Sequence, residues 1–366
     1  MARKAAHGPS QELDGRGLDE ITELLHTGRL SLEKSGYNGR MAVPTLTSIL
    51  KRILKQPTAP FHEYFVRAEI EALLKDCPNV TLKRDKFGNL IATYKCGKRK
   101  TTPSWVLGAH MDHPAFVRKP GGKKDEWEFL GGVAKPVLDD GIKRGLRKVH
   151  KGGNIATWNF PVVIEDGRVE ATACDDLIGC ASIVATFWEL AKLNLETTVY
   201  AVFTRAEEIG WLGAWHVGEN WPFGKDALFL SLETSRPVNG AEFGDGPVVR
   251  VGDRLSVFDA EAVEILMRTA SEQGIRVQRC LLDRGACEAS AMQALGHRSA
   301  GISLCLGNYH NTSEDNVLAP EYVMLDDVKG LVTLLKALVA TKHRGIERPL
   351  HARVAMRQKE YAKHLA

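Results

Sequence analysis

Five stretches of this 366-residue chain hold side chains able to bind cations or carry protons. His110 and Asp112 lie in Gly108-Ala109-His110-Met111-Asp112. An imidazole is a common metal ligand, and a carboxylate two residues on can accept its second ring N–H and fix its tautomer. Asp175 and Asp176 stand just before the apolar run that begins at Leu177. One Asp suffices to cap a helix, which leaves the other carboxylate free to bridge two cations. Glu207 and Glu208 are adjacent, after the apolar stretch 198–204. Neighbouring buried carboxylates repel each other and lose solvation, and a metal ion relieves both. Consecutive side chains diverge, so one can ligate while the other faces a substrate water. Glu233 directly ends Leu230-Ser231-Leu232, and His310 lies in a loop just past Leu304-Cys305-Leu306.

Taken singly, each feature has a plainer reading: a strand-end histidine, a helix cap, an exposed helix start, a polar loop. Their shared position changes the balance. All five follow an apolar strand or an apolar-to-turn switch, and in open α/β sheets ligand sites lie beyond the carboxyl ends of the strands. The set supplies two imidazoles and at least three carboxylates. Such N/O ligation suits Zn²⁺, with Mn²⁺ or Co²⁺ as alternatives.

The elements that must position these residues are legible in the apolar pattern. Leu46, Ile49, Leu50, Ile53 and Leu54 repeat at helical spacing, and Pro57 and Pro60 end that run. A second helix is expected to carry Phe61, Phe65, Ala68 and Ala72 on its buried face. Short strands are expected at 80–84 and 90–94, then apolar strands at 105–109, 198–204, 227–232 and 301–306. Between and after them, Leu177, Cys180, Ala181, Val184 and Trp188 mark one helix, and Val328, Leu331, Leu335 and Leu338 another. Apolar strands without clean alternation, separated by helices, predict an α/β fold: a mixed central sheet with helices on both faces. Residues 114–170 break the rhythm. They are rich in Gly and Lys, have no helical period, and hold strand-like pieces at 127–130, 155–158 and 161–164. The organisation expected is an N-terminal arm (1–37) with a short helical stretch at 18–25, a discontinuous α/β catalytic domain (38–113 and 171–342), an inserted β-rich domain (114–170) and a basic, mildly helical C-terminal tail (343–366).

Composition narrows the function. A net charge of +4, spread along the chain, argues against a nucleic-acid partner. No run approaches the roughly 18 apolar residues of a membrane-spanning helix. The N-terminus reads as no secretory signal. Seven cysteines without a Cys-x-x-Cys pair predict reduced, buried thiols in a cytoplasmic protein. No Gly-x-Ser-x-Gly occurs, and neighbouring acids cannot flank a glycosidic bond several ångströms apart.

In order, His110-x-Asp112, Asp175-Asp176, Glu207-Glu208, Glu233 and His310 resemble the motif set of the co-catalytic di-zinc exopeptidases. Within that superfamily they are most similar to the tetrahedral, or glutamyl and deblocking, aminopeptidase branch. The resemblance spans about residues 43–342; the ordered combination carries it, and no single motif does. The β-rich insert stands where that branch has an extra, barrel-like domain, and 244–253 resembles a hairpin that follows its ligand strand. The resemblance implies a zinc-peptidase-like fold and two divalent ions held by His110, Asp175, Glu208, Glu233 and His310, with Asp175 bridging. It implies that Glu207 is the general base acting on a metal-bridged hydroxide, that Asp112 orients His110, and that the Asp175–Asp176 peptide is cis. It further implies peptide substrates cut at the N-terminus and a homo-oligomer. The sequence departs at Glu233, where the branch has Asp, at His113, where an acid is frequent, at Asn311-Thr312, where Ser-Pro is usual, and at 284–289. A carboxypeptidase, deacylase or amidase on the same centre, or a silent metal-binding partner protein, are the rival readings.

Overall fold

The computed structural model describes residues 43–98, 103–123, 126–341 and 349–364. The expected N-terminal arm lies outside the described residues. Helices α1 (Leu46–Ile53) and α2 (Tyr64–Leu74) precede strands β1 (Val80–Arg84), β2 (Leu90–Cys96) and β3 (Ser104–His110). Next come β4 (Ala115–Arg118), β5 (Trp127–Leu130), α3 (Lys135–Lys143), β6 (Arg147–Val149), β7 (Ile155–Trp158), β8 (Val163–Glu165) and β9 (Arg168–Ala171). Then α4 (Leu177–Lys192), β10 (Thr197–Thr204), α5 (Leu212–Glu219), β11 (Ala227–Ser235), β12 (Val248–Asp253) and α6 (Ala260–Glu272) follow. The chain closes with β13 (Gln278–Leu282), α7 (Glu288–Ala294), β14 (Ser299–Cys305), β15 (Glu321–Met324), α8 (Leu325–Ala340) and α9 (Pro349–Tyr361).

Eight strands form the central sheet in the order β1-β2-β10-β3-β11-β14-β12-β13. Its middle, β10-β3-β11-β14, is parallel, so four carboxyl ends meet at one edge. Both faces are buried. In β3, Trp105, Leu107 and Ala109 enter one apolar cluster and Val106 another; in β11, Leu228, Leu230 and Leu232 oppose Ala227 and Phe229 in the same way. Each such large side chain contributes about 1.5–3 kcal/mol on full burial. Helix α4 lies in the larger cluster against α1, α8 and β3, and every residue but Glu189 and Lys192 is buried. A helix apolar on all sides belongs inside a core.

Four sequence expectations change. Helix α2 buries Val66, Ile70, Leu73 and Leu74, while Phe61, Ala68 and Ala72 face solvent. The larger β-branched and leucine side chains take the core and the alanines give way. Within 114–170 a helix does form, α3, burying Val137 and Gly141. Its period was masked by Lys and Gly, and Gly141 is there because a Cβ would meet Trp158 and Leu318 at 2.7 Å. The strands of this segment divide between two sheets, β5-β4-β7-β6 and β15-β9-β8, the second completed by a strand from far along the chain. The expected hairpin near 244–253 is instead β12, a full member of the central sheet between β14 and β13. In the tail, residues 354–364 are exposed. Among the described residues no helix is long and apolar enough to cross a membrane.

Candidate metal centre

The parallel middle of the sheet delivers the predicted residues to one cleft of about 150 Å³. His110 is the last residue of β3, Glu207 and Glu208 follow β10, Glu233 lies near the end of β11, and His310 follows β14. Asp175 comes from the entrance to α4. Its Oδ1 is 3.3 Å from His110 Nε2 and its Oδ2 3.8 Å from His310 Nε2, so one carboxylate spans the gap between the two imidazoles. Around His110 Nε2 stand Glu233 at 3.8 Å and Glu207 at 4.0 Å; Glu208 lies 3.1 Å from His310 Nε2. The Asp175–Asp176 peptide is cis. Asp176 turns away and caps α4, accepting the Gly179 N–H at 3.1 Å. The capping reading of the pair thus holds for Asp176, and the Asp175 carboxylate stays free in the cleft.

Both imidazoles are held through Nδ1. His110 Nδ1 donates to the Asp112 carbonyl oxygen at 3.1 Å, and His310 Nδ1 donates to the Gly132 carbonyl at 3.0 Å. Each Nε2 is left facing carboxylates, a place that a proton or a cation can fill. The expected Asp112 contact differs. Its carboxylate is 3.7 Å from His110 Nδ1 and instead accepts the backbone N–H groups of Glu207 at 3.0 Å and Glu208 at 3.1 Å. Asp112 thus sets the turn that carries the two glutamates.

Three more side chains hold that turn, none of them anticipated. Asn89 Oδ1 accepts the Arg205 N–H at 3.0 Å, and Glu63 Oε1 accepts the Ala206 N–H at 3.1 Å. Arg205 pairs with Glu63 at 2.6 Å. Ala206 has φ +54°, a region an alanine occupies only when its surroundings compel it. Glu321, also missed, is fully buried beneath Asp175 and His310; its one sequence signal is an acid in register with the buried Val323. His113 and Asn311, two departures from the family pattern, meet each other at 3.0 Å.

The buried acids and imidazoles of the cluster shift one another. Burial pushes the Glu207 carboxyl well above its ordinary range, helped by Glu233, Glu208 and Asp112. Burial likewise lifts Glu233 to about 8, with Asp175 and Glu288 adding to it. Burial would lower both histidines, but the facing carboxylates outweigh it: His110 rises well above its ordinary value and His310 to about 9, chiefly through Glu208. Asp175 Oδ1, Glu208 Oε1 and His310 Nε2 have no hydrogen-bond partner among the described residues. Ligand atoms of His110, Asp175 and Glu208, and of His110, Glu207 and Glu233, gather within 4.8 Å of one another. Three buried atoms without partners, beside two groups of N and O ligand atoms that share His110, fit divalent cations.

Comparison with known proteins points the same way. A model of the M42 glutamyl aminopeptidase family matches residues 144–351. A presumed aminopeptidase of Acetivibrio thermocellus is 26% identical over 319 residues, which cover 75% of this chain and 92% of that protein. The TET1 peptidase of Pyrococcus horikoshii, which can assemble into a tetrahedron or a large octahedral shell, superposes with a TM-score of 0.66 at 20% identity, over 81% of this chain and 99% of that one. A TET aminopeptidase from the marine sediment archaeon Thaumarchaeota archaeon SCGC AB-539-E09 does so with a TM-score of 0.66 at 17% identity, over 82% and 98%. At such identities the structural likeness speaks to the fold.

Proposed function

We propose, since this chain belongs to the M42 glutamyl aminopeptidase family and is therefore a metal-dependent peptidase, that the cleft removes N-terminal residues from peptides with two cations in place. The observation that carries this reading is Asp175, set between His110 and His310 with one oxygen toward each. His110 and Glu233 would hold one ion and His310 and Glu208 the other, with Asp175 shared between them. The donor set favours zinc, with cobalt or manganese as substitutes. When bound, the ions supply Lewis-acid polarisation of the scissile carbonyl and a water acidified at neutral pH.

The chain's own residues do the rest. Glu207, with its side chain 11% exposed at the cleft, takes the proton of the attacking water and returns it to the leaving amine. Asp112 aims it by gripping the backbone of the turn. Tyr309 stacks on His310 with ring centroids 3.8 Å apart, and Arg236 sits over Tyr309. Arg236, Arg250 and Arg284 all line the cleft. Arg250 is 2% exposed and its Nε has no partner among the described residues. A buried cation beside the chemistry supports a preference for acidic N-terminal side chains. The unpaired state of all seven cysteines supports a reducing, cytoplasmic location. Likeness to the shell-forming TET1 peptidase supports self-association into a homo-oligomer.

The test is a matched peptide panel assayed beside metal quantification. Free-amine peptides beginning with Glu or Asp should be cleaved, and N-acetylated versions spared. Cleavage confined to the C-terminal bond, or to the N-acyl group, would move the assignment to a carboxypeptidase or deacylase.

A further inference from the structure

We propose that Glu321 is a positioning residue that presets the separation of Asp175 and His310, and with it the affinity of the cation these two share with Glu208; this rests on the two-cation reading of the cleft. Glu321 opens β15 and has no exposed surface. Its Oε2 accepts the Asp175 N–H at 3.0 Å and its Oε1 the His310 N–H at 2.8 Å. The two ligands lie far apart in the chain, on loops after β9 and β14, and this one carboxylate ties their backbones together.

The opposite side of the same junction is closed by His113. Its Nδ1 is 2.8 Å from the Asp175 carbonyl oxygen, and its Nε2 is 3.0 Å from Asn311 Oδ1. Asn311 Nδ2 in turn donates to the Thr172 carbonyl at 2.8 Å. Asp175 is therefore gripped at its N–H by Glu321 and at its C=O by His113, and both grips extend to the His310–Asn311 loop. That loop needs holding. Asn308, His310 and Asn311 have φ of 55°, 53° and 57°, a sparsely populated region for side-chain-bearing residues, kept only where neighbours over-determine it. Left alone, His310 would leave this geometry and Nε2 would swing away from Asp175. His110, by contrast, is the end of a buried sheet strand and needs no such clamp. The dependence on Glu321 is thus strongest for the ion on the His310 side, where Glu321 holds both Asp175 and His310, and smaller for the other, which shares only Asp175.

The experiment is zinc competition against a chromophoric chelator on the full chain. Wild type should titrate as two sites. Glu321→Gln removes one acceptor oxygen and sets an amide NH₂ against a backbone N–H. It should weaken the site of His310 and Glu208 by about tenfold to a hundredfold and the other site, which shares only Asp175, by less. Asp259→Asn, whose contacts are Arg298 and the start of α6, should leave both sites unchanged. A second measurement needs no variant: hydrogen exchange in the metal-free wild type, where the Asp175 and His310 amides should already be protected. The proposal falls if folded Glu321→Gln binds both ions as wild type does, or if those two amides exchange as freely as surface loops. A wild type that binds fewer than two ions overturns the two-cation reading itself, and this proposal with it.

Discussion

At the scale of single residues, Glu207 and Arg250 carry different burdens, and substitution can separate them. Glu207→Gln keeps the shape and removes the proton acceptor. Turnover should fall by about 10²- to 10⁴-fold, while metal analysis still finds the wild-type content. Retained turnover with the metal in place would assign the base elsewhere. Arg250→Met removes the cleft's buried cation. The kcat/KM for a Glu-initiated peptide should fall at least about tenfold relative to a Leu-initiated one, the size of one lost charge-assisted hydrogen bond. An equal fall for both would place Arg250 in support of Glu233, whose carboxyl its charge draws downward against burial. His110, Asp112, Asp175, Glu207, Glu208, Glu233 and His310 were legible because each lies at or near the border of an apolar run, and the structure gathers them in or beside one cleft. Glu63, Asn89 and Glu321 were not legible. They act by accepting backbone N–H groups from distant loops, and no local pattern marks a side chain for that task.

At the scale of elements, the strands were readable and the helix faces less so. Burial on both faces made β3, β10, β11 and β14 continuous apolar runs, and those runs fixed where the carboxyl ends fall. Helix α2 misled because its small residues also recur at helical spacing. Two variants probe how tightly the elements hold the site. Gly108 lies in β3 where an added Cβ would sit 2.1 Å from the buried Phe229 ring. Gly108→Ala should destabilise by about 1–3 kcal/mol, read from the urea midpoint, with catalysis lost in step two residues from His110. Asp259 caps α6 through the Ala262 N–H at 2.8 Å and pairs with Arg298. Although burial opposes it, Arg298 and the capping N–H hold the Asp259 carboxyl below its ordinary value. Its folded pKa lies below its unfolded one, so the contribution is complete above the unfolded value of about 3.9 and disappears as pH falls through the folded one. Asp259→Asn keeps the cap and removes the charge. It should cost about 0.5–1 kcal/mol at neutral pH and nothing in strong acid. A cost that persists at low pH would mean the amide packs badly, and the ion pair would not be its cause.

At the scale of the whole molecule, stability and metal loading should be coupled, because the sheet gathers more negative charge than it can neutralise. Glu207, Glu233 and Asp176 are each pushed upward by burial among their neighbours. The folded chain without ions therefore keeps protons on groups that would otherwise be ionised, or bears their repulsion. The unfolded chain has neither burden. Ions that bind only the folded state stabilise it by mass action, about 4 kcal/mol for a site at a thousandfold excess over its dissociation constant. Zinc at that excess should accordingly raise the thermal midpoint of the wild type by several degrees, and a strong chelator should lower it again. Glu207→Gln should retain the full shift, since Glu207 is assigned to the proton and not to the metal. His310→Ala should retain only the part due to the ion held by His110 and Glu233. A midpoint indifferent to zinc in the wild type would mean that the cluster is satisfied by protons alone, and the converging side chains would lose their claim to be a metal centre.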